Sequence, residues 1–368
     1  MSALTEDLVV DVLSRLPVVT LLRFRCVSKS WQALIDSSYF IKLHLNKSLK
    51  DIKSHKIIAI GRYYNENNVD HSDFIFYAIN FDFGFGVAEV KEIKPPVQEF
   101  SDSVSFIGSC RFLICLRYSD ENILLWNPSI RKHRIIPYTR VEIEDLLGRK
   151  YTQYRFGFGF GYDNVMDDHK VVRLVFDRHS GDYEVQVYSL KLDTWKKIEK
   201  FPICIYWVSK PNFVNGSMNW LVLERKPNPT FSLLVLCLRT EVCRLVSLPE
   251  WFNEYRPINW DYCFNCLDWT PWVVGHCSTP CHALWKIMDY ENSDFWTKLR
   301  LPHSDSDEGM VSSEIYQHLN WIIAKDSLQE ILCSESIEIC CWGTCCWVDS
   351  LFQLKKCNHA SKIRELVM

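Results

Sequence analysis

Near residue 50 the spacing of apolar residues changes, and that change limits what the chain can fold into. Before it, apolar residues recur every three or four positions. Leu8, Val9, Val12, Leu13 and Leu16 form one such series, behind Thr5, Glu6 and Asp7. A cap followed by acidic residues and an apolar arc predicts a helix that ends near Pro17. Leu21, Leu22, Phe24 and Val27 begin a second short helical stretch, and Trp31, Leu34 and Ile35 continue the spacing. Phe40, Leu43 and Leu45 complete it. A unit this short cannot bury so many large apolar groups by itself. It docks on the rest of the chain or presents an apolar surface to another protein.

After residue 56 the period is two, and one pattern repeats: strand, polar turn, strand, proline. Phe74–Ile79 leads to Val90–Pro95, Ile123–Trp126 to His133–Pro137, and Val185–Tyr188 to Trp195–Pro202. Leu233–Leu236 leads to Cys243–Pro249, and Ala283–Trp285 to Phe295–Pro302. Further strand pairs are expected upstream, in Val104–Cys115, Phe213–Leu223 and Ile315–Ile323. A sixth unit is expected to end near Trp347–Leu351, and Arg140–Tyr151 reads as an insertion loop. Four strands in roughly 50 residues is propeller arithmetic, which gives about six blades. The fold class is therefore mainly β, a small helical unit followed by a β-propeller-like repeat domain. A β-sandwich with Greek-key strands is the alternative.

The chain of 368 residues carries a formal charge of -3, so no basic footprint for nucleic acid exists. Its apolar runs are short and its N-terminus does not read as a signal peptide, so no membrane partner is expected. The sixteen cysteines include Cys263, Cys266, Cys277 and Cys281 with His282, and a later group of Cys340, Cys341, Cys345, Cys346 and Cys357 with His359. The first group lies among Tyr262, Phe264, Leu267 and Trp269, which read as buried strand. Neither group is expected to bind zinc, and no metal, cofactor or required disulfide is expected.

Three chemical motifs dissolve in context. Asp82-Phe83-Gly84 lacks the other parts of a kinase site and reads as a hairpin turn. Gly157, Gly159 and Gly161 open no phosphate-binding helix, and instead let a crowded strand pass close to its neighbour. Asp167, Asp168 and His169 read as a solvated turn before Lys170 rather than acid–base groups. No catalytic residue is expected.

The segments Glu6–Pro17 and Leu21–Trp31 resemble the F-box nearly position by position. One departure is Thr5, where that family usually has proline after Leu4. The resemblance implies helices that bind a Skp1-like protein, and through it a cullin and a RING protein, in a ubiquitin ligase. It places Leu4, Leu8, Val12, Leu13, Leu16, Pro17, Leu21, Leu22, Phe24, Val27 and Trp31 at or beneath the Skp1-binding surface. The later region is similar to the plant F-box-associated domain. The matching stretches are Asn122–His133, Phe158–Asp163 with Asp167–Leu174, Val187–Leu190 with Trp195, Val214–Trp220 and Trp347–Leu351. That family includes S-locus F-box proteins and regulators of immune receptors. Two departures are Ser109–Leu113, which lacks the usual Asn-Gly turn, and the cysteine-rich stretch Cys333–Cys346.

Together these imply an F-box over residues 1–47 and a substrate-recognition domain over 52–368. The expected function is the non-catalytic substrate receptor of a Skp1–cullin–F-box ligase, acting on an unknown target protein in the cytoplasm, the nucleus or both. A Skp1-independent scaffold or inhibitory binding propeller is the alternative.

Overall fold

The structure is a computed structural model. It describes residues 5–51, 55–64, 72–82, 86–97, 104–118, 122–137, 154–177, 182–198, 204–208, 211–214, 216–248, 263–267, 270–276, 282–287, 296–300, 337–338 and 345–348. The chain forms two compact units, Met1–Tyr138 with Leu319–Met368, and Thr139–His318.

The first unit begins with helices α1 (Glu6–Leu13), α2 (Val18–Phe24), α3 (Lys29–Asp36) and α4 (Ser38–Lys50). Pro17 opens α2 as much as it ends α1. Its fixed φ suits a helix start, and its carbonyl accepts from the amides of Thr20 and Leu21. Thr5 stands at the N-cap of α1, but only its carbonyl takes part, accepting from the Val9 amide at 3.1 Å. Ser28 and Ser37 do cap with their side chains, accepting from the amides of Trp31 and Phe40, each at 3.1 Å. Helix α4 runs through the junction expected from residue 47 and ends at Lys50.

Three strands follow in this unit: β1 (His55–Tyr64), β2 (Ser72–Asp82) and β3 (Gly86–Ile93). A second sheet is the meander β4 (Ser105–Cys110), β5 (Leu113–Arg117), β6 (Ile123–Asn127) and β7 (Lys132–Ile136). Ile58 and Phe76 of the first sheet pack with Ile114, Leu116, Leu124 and Trp126 of the second. The Phe76 ring meets Trp126 edge-on at 5.6 Å.

The second unit holds three more antiparallel sheets. One is β8 (Tyr154–Asp163), β9 (Asp168–Asp177), β10 (Tyr183–Ser189) and β11 (Thr194–Ile198). The next combines β12 (Ile205–Val208), β13 (Asn212–Val214), β14 (Ser217–Glu224), β15 (Phe231–Cys237) and β16 (Cys243–Ser247). The last is β17 (Cys263–Leu267), β18 (Thr270–His276), β19 (His282–Ile287) and β20 (Trp296–Arg300). Two short strands near the C-terminus, β21 (Ile337–Glu338) and β22 (Cys345–Val348), belong to the first unit and pair with β1.

That pairing changes one expectation. The unit expected to end near Trp347 is no separate sheet among the described residues. Trp347 instead stands opposite Lys56, and the strand completes the first sheet. Five sheets are therefore found among the described residues. The β19–β20 hairpin falls where the repeat places it, and β18 pairs with β19 ahead of it. The expected strands in Ile315–Ile323, the Arg140–Tyr151 loop, and the side chains of both cysteine groups lie outside the described residues, as do Phe83 and Gly84.

The glycine strand works as its spacing implies. Gly157, Gly159 and Gly161 share the face of β8 turned toward β14 and its turn. A Cβ at Gly159 would lie 2.5 Å from the Met218 sulfur, and one at Gly161 would press into the Phe213 ring and Leu238. Without side chains there, Met218 and Trp220 join Val172, Leu174, Val185 and Val187 in one buried core. The hairpin turns share a second device. Arg111, Arg131, Asp167, Asp193 and Glu241 all take positive φ between 52° and 57°, and Gly216 does so at 77°. Cys110 pairs with Leu113, so Arg111 and Phe112 occupy the two turn positions where the usual Asn-Gly would stand, and Arg111 takes the left-handed backbone of the Asn position.

Two expected outcomes follow for chemical denaturation. Gly161→Ala lowers stability by about 1–3 kcal/mol, because a ring cannot step aside, whereas at Gly159 the flexible end of Met218 yields more cheaply. Arg131→Gly raises stability by up to about 1 kcal/mol, because an exposed side chain leaves a left-handed backbone, less the entropy glycine adds to the unfolded chain. Unfolding midpoints of the three variants against the parent check both.

Candidate functional site

The four N-terminal helices form a small core of their own. Leu13, Val18, Leu21, Ile35 and Phe40 are buried at its centre. Leu16, Leu22, Phe24, Trp31 and Leu34 are half-buried against them, with Phe24 and Trp31 meeting edge-on at 5.6 Å. Polar contacts fix the helices around that core. His44 Nε2 donates to the Leu16 carbonyl at 2.9 Å. Lys47 Nζ reaches Asp11 Oδ1 at 2.7 Å and Ser14 Oγ at 2.6 Å, tying α4 to α1. Arg25 pairs with Asp36 at 2.7 Å, joining the end of α2 to α3. The hydrogen bond from Lys47, with that from Arg15, holds the Asp11 carboxyl below its ordinary range.

Among the described residues, one from outside the helices packs against this core. Ile130, in the turn between β6 and β7, packs on the helical cluster. Nothing in the helical sequence announces it. The only available signal is an apolar residue inside the polar turn Asn127–Lys132, where turn chemistry favours Gly, Asn, Asp or Ser.

The helical residues divide by exposure. Leu8, Val12, Pro17 and Val27 face solvent, and each of the three aliphatic side chains is more than half exposed. Leu8 and Val12 are one turn apart on α1 and so share a face. Leu13 and Leu21 are buried and support that surface from beneath. Leu16, Leu22, Phe24 and Trp31 lie between these extremes, and Leu4 lies outside the described residues. Val19, which the spacing did not single out, is 55% exposed on α2. It becomes legible once α2 is seen to begin at Val18, whose side chain turns inward and leaves its neighbour outside. Exposed aliphatic groups on a capped, packed helical unit are suited to docking on a protein.

No group of three or more His, Cys, Asp or Glu side chains among the described residues is placed to hold a metal. The cysteines described there are free thiols. Burial pushes Cys110 up to about 12 and Cys243 up to about 11, and raises Cys115 as well. Thiols so placed behave as small core hydrophobes rather than nucleophiles.

Exposure predicts a split between two substitutions. Leu21→Ala removes buried volume and lowers stability by about 2–5 kcal/mol. Leu8→Ser changes it by no more than about 0.5 kcal/mol. Thermal melts of the two variants check the division between core and surface.

Comparison with known proteins agrees with this geometry. Residues 69–257 match the family described as F-box associated beta propeller domain, and residues 1–43 match the F-box domain. The chain is similar to F-box protein CPR1 of Arabidopsis thaliana, 29% identical over 320 residues, covering 81% of this chain and 73% of that protein. An F-box/kelch-repeat protein of the same plant is 29% identical over 224 residues, 58% of this chain and 57% of its own length. Protein SUPPRESSOR OF NIM1 1, also of Arabidopsis thaliana, is 27% identical over 250 residues, 65% of this chain and 62% of its own. The family match runs from β2 to β16 and so takes in hairpins of both units, and the F-box match spans the helices that carry the exposed aliphatic surface. The chain belongs to the F-box associated beta propeller family and carries an F-box domain at its N-terminal end.

Proposed function

We propose that the chain is the substrate-recognition subunit of a Skp1–cullin–F-box ubiquitin ligase. The observation that carries this reading is the exposed pair Leu8 and Val12 beside Pro17, Val19 and Val27, on helices whose core is already filled. These residues, with Leu13, Leu16, Leu21, Leu22, Phe24 and Trp31 beneath or beside them, form the Skp1-binding surface. Skp1 links the chain to a cullin and a RING protein. The β region from about residue 52 onward holds a target protein in the cytoplasm, the nucleus or both. The chain does no chemistry of its own. It raises the effective concentration of target lysines near a charged ubiquitin-conjugating enzyme.

The F-box resemblance and the family matches support this reading over a scaffold that never meets a ligase. The two differ at the helices alone, since a scaffold has no use for an exposed aliphatic face there. Co-precipitation of the full chain with a purified Skp1-like protein tests it. Leu8→Ser with Val12→Ser should keep the parental melting temperature and weaken Skp1 capture by about tenfold or more, the scale of losing interface anchors. Capture at parental strength by this double variant would overturn the reading.

A further inference from the structure

The turns between β8 and β9, β10 and β11, and β15 and β16 carry aliphatic side chains where a turn normally carries polar ones. Val165 and Met166, Leu192, and Val242 are each more than half exposed. Hydrogen bonds hold these turns together at one end of the second unit. Lys191 Nζ, from the second turn, donates to the Met166 carbonyl of the first at 2.9 Å. Lys170, buried at the start of β9, donates to the Leu238 carbonyl at 2.5 Å and to Glu241 Oε1 at 3.0 Å. Lys196 of β11 donates to the other Glu241 oxygen at 2.7 Å. The Leu238 amide bonds the Gly216 carbonyl at 2.9 Å, adding the β13–β14 turn.

The same network sorts the charges. Asp163 is buried and accepts from the amides of Val165 and Met166. Asp168 and His169, expected in a solvated turn, instead begin β9 and are buried, because Asp168 accepts from Ser189 and the Lys191 amide. Asp167 and Asp193 accept from the hydroxyls of Tyr162 and Tyr188, and Glu241 from two lysines. The buried carboxylates of Asp163 and Asp168 point into the turns, Glu241 is paired with Lys170 and Lys196, and Lys191 and Arg239 stand exposed among the aliphatic tips, with Asp167 beside Met166 the exposed acidic residue there. Rigid turns, aliphatic tips and outward basic groups are complementary to one chemistry.

We infer that this end of the second unit docks an acidic, aliphatic or aromatic segment of the target protein, in which Asp or Glu alternates with Leu or Phe. Apolar side chains of the segment cover Val165, Met166, Leu192 and Val242, and its carboxylates meet Lys191 and Arg239. The inference rests on the adaptor reading, because it names what the receptor holds.

The test uses the full chain bound to a purified Skp1-like protein and three labelled synthetic peptides. One alternates Asp and Glu with Leu and Phe, one replaces its acids by lysine, and one replaces its apolar residues by serine. Only the first should bind saturably, and more weakly as salt rises. Lys191→Glu with Arg239→Glu, and separately Val165→Ser with Leu192→Ser, should each weaken it by about tenfold. In the unsubstituted chain the peptide should slow amide exchange in residues 163–168, 190–194 and 238–242. Equal binding of the three peptides, binding of none, or protection elsewhere would overturn the inference. So would a change in self-association caused by the substitutions, which would assign the face to a second copy of the chain. Skp1 capture in the same preparation separates the two claims, since its loss counts against the adaptor reading alone.

Discussion

The pairing of β22 with β1 is the constraint on which the first unit depends. Cys345–Val348 lies antiparallel to His55–Ile58, so strands from opposite ends of the β region share one sheet. Without that pairing β1 would present an open edge, a template for association with other chains. Ile57 and Ile58 stand opposite Cys346 and Cys345 in this register, and Ile58 lies in the core that Phe76 and Trp126 complete. A slip of one residue would turn Ile58 out of that core. The helical unit is tied to the same body through Ile130. The F-box is therefore held by the β region as well as joined to it by the chain.

Much of this was legible in the sequence because the signals are local. Strand–turn–strand units such as Ile123–Pro137 and Leu233–Pro249 place the hairpins β6–β7 and β15–β16 within a residue or two. The alternating glycines of β8 announce a close approach before Met218 and Phe213 are known to be the neighbours. What was not legible is non-local. Nothing in Trp347 says that it pairs across the chain with Lys56, so the segment read as the end of a sixth unit. Ile130 sits in a turn, and only the folded chain shows the helical core it enters. The positive φ of Arg111 is hidden because an arginine gives no sign of standing at the left-handed first position of a tight turn.

The helical site divides in the same way. Spacing identifies the apolar residues but not which side of them faces water. Leu13 and Leu21 belong to the same periodic series as Leu8 and Val12, yet the first pair is buried and the second exposed. Burial by Ile35 and Phe40 makes the difference, and those partners arrive from later helices. Val19 is the converse case, a surface group obscured because α2 starts earlier than its leucines suggest.

The account's central claim is that the helices recruit Skp1 while the β region is left free for a target. Amide exchange of the full chain with and without a purified Skp1-like protein tests it most directly. The account predicts slowed exchange from residue 6 to 27 and no change in the hairpin turns at 163–168, 190–194 and 238–242. Unchanged exchange along α1 and α2, or protection spread through those turns, would contradict it.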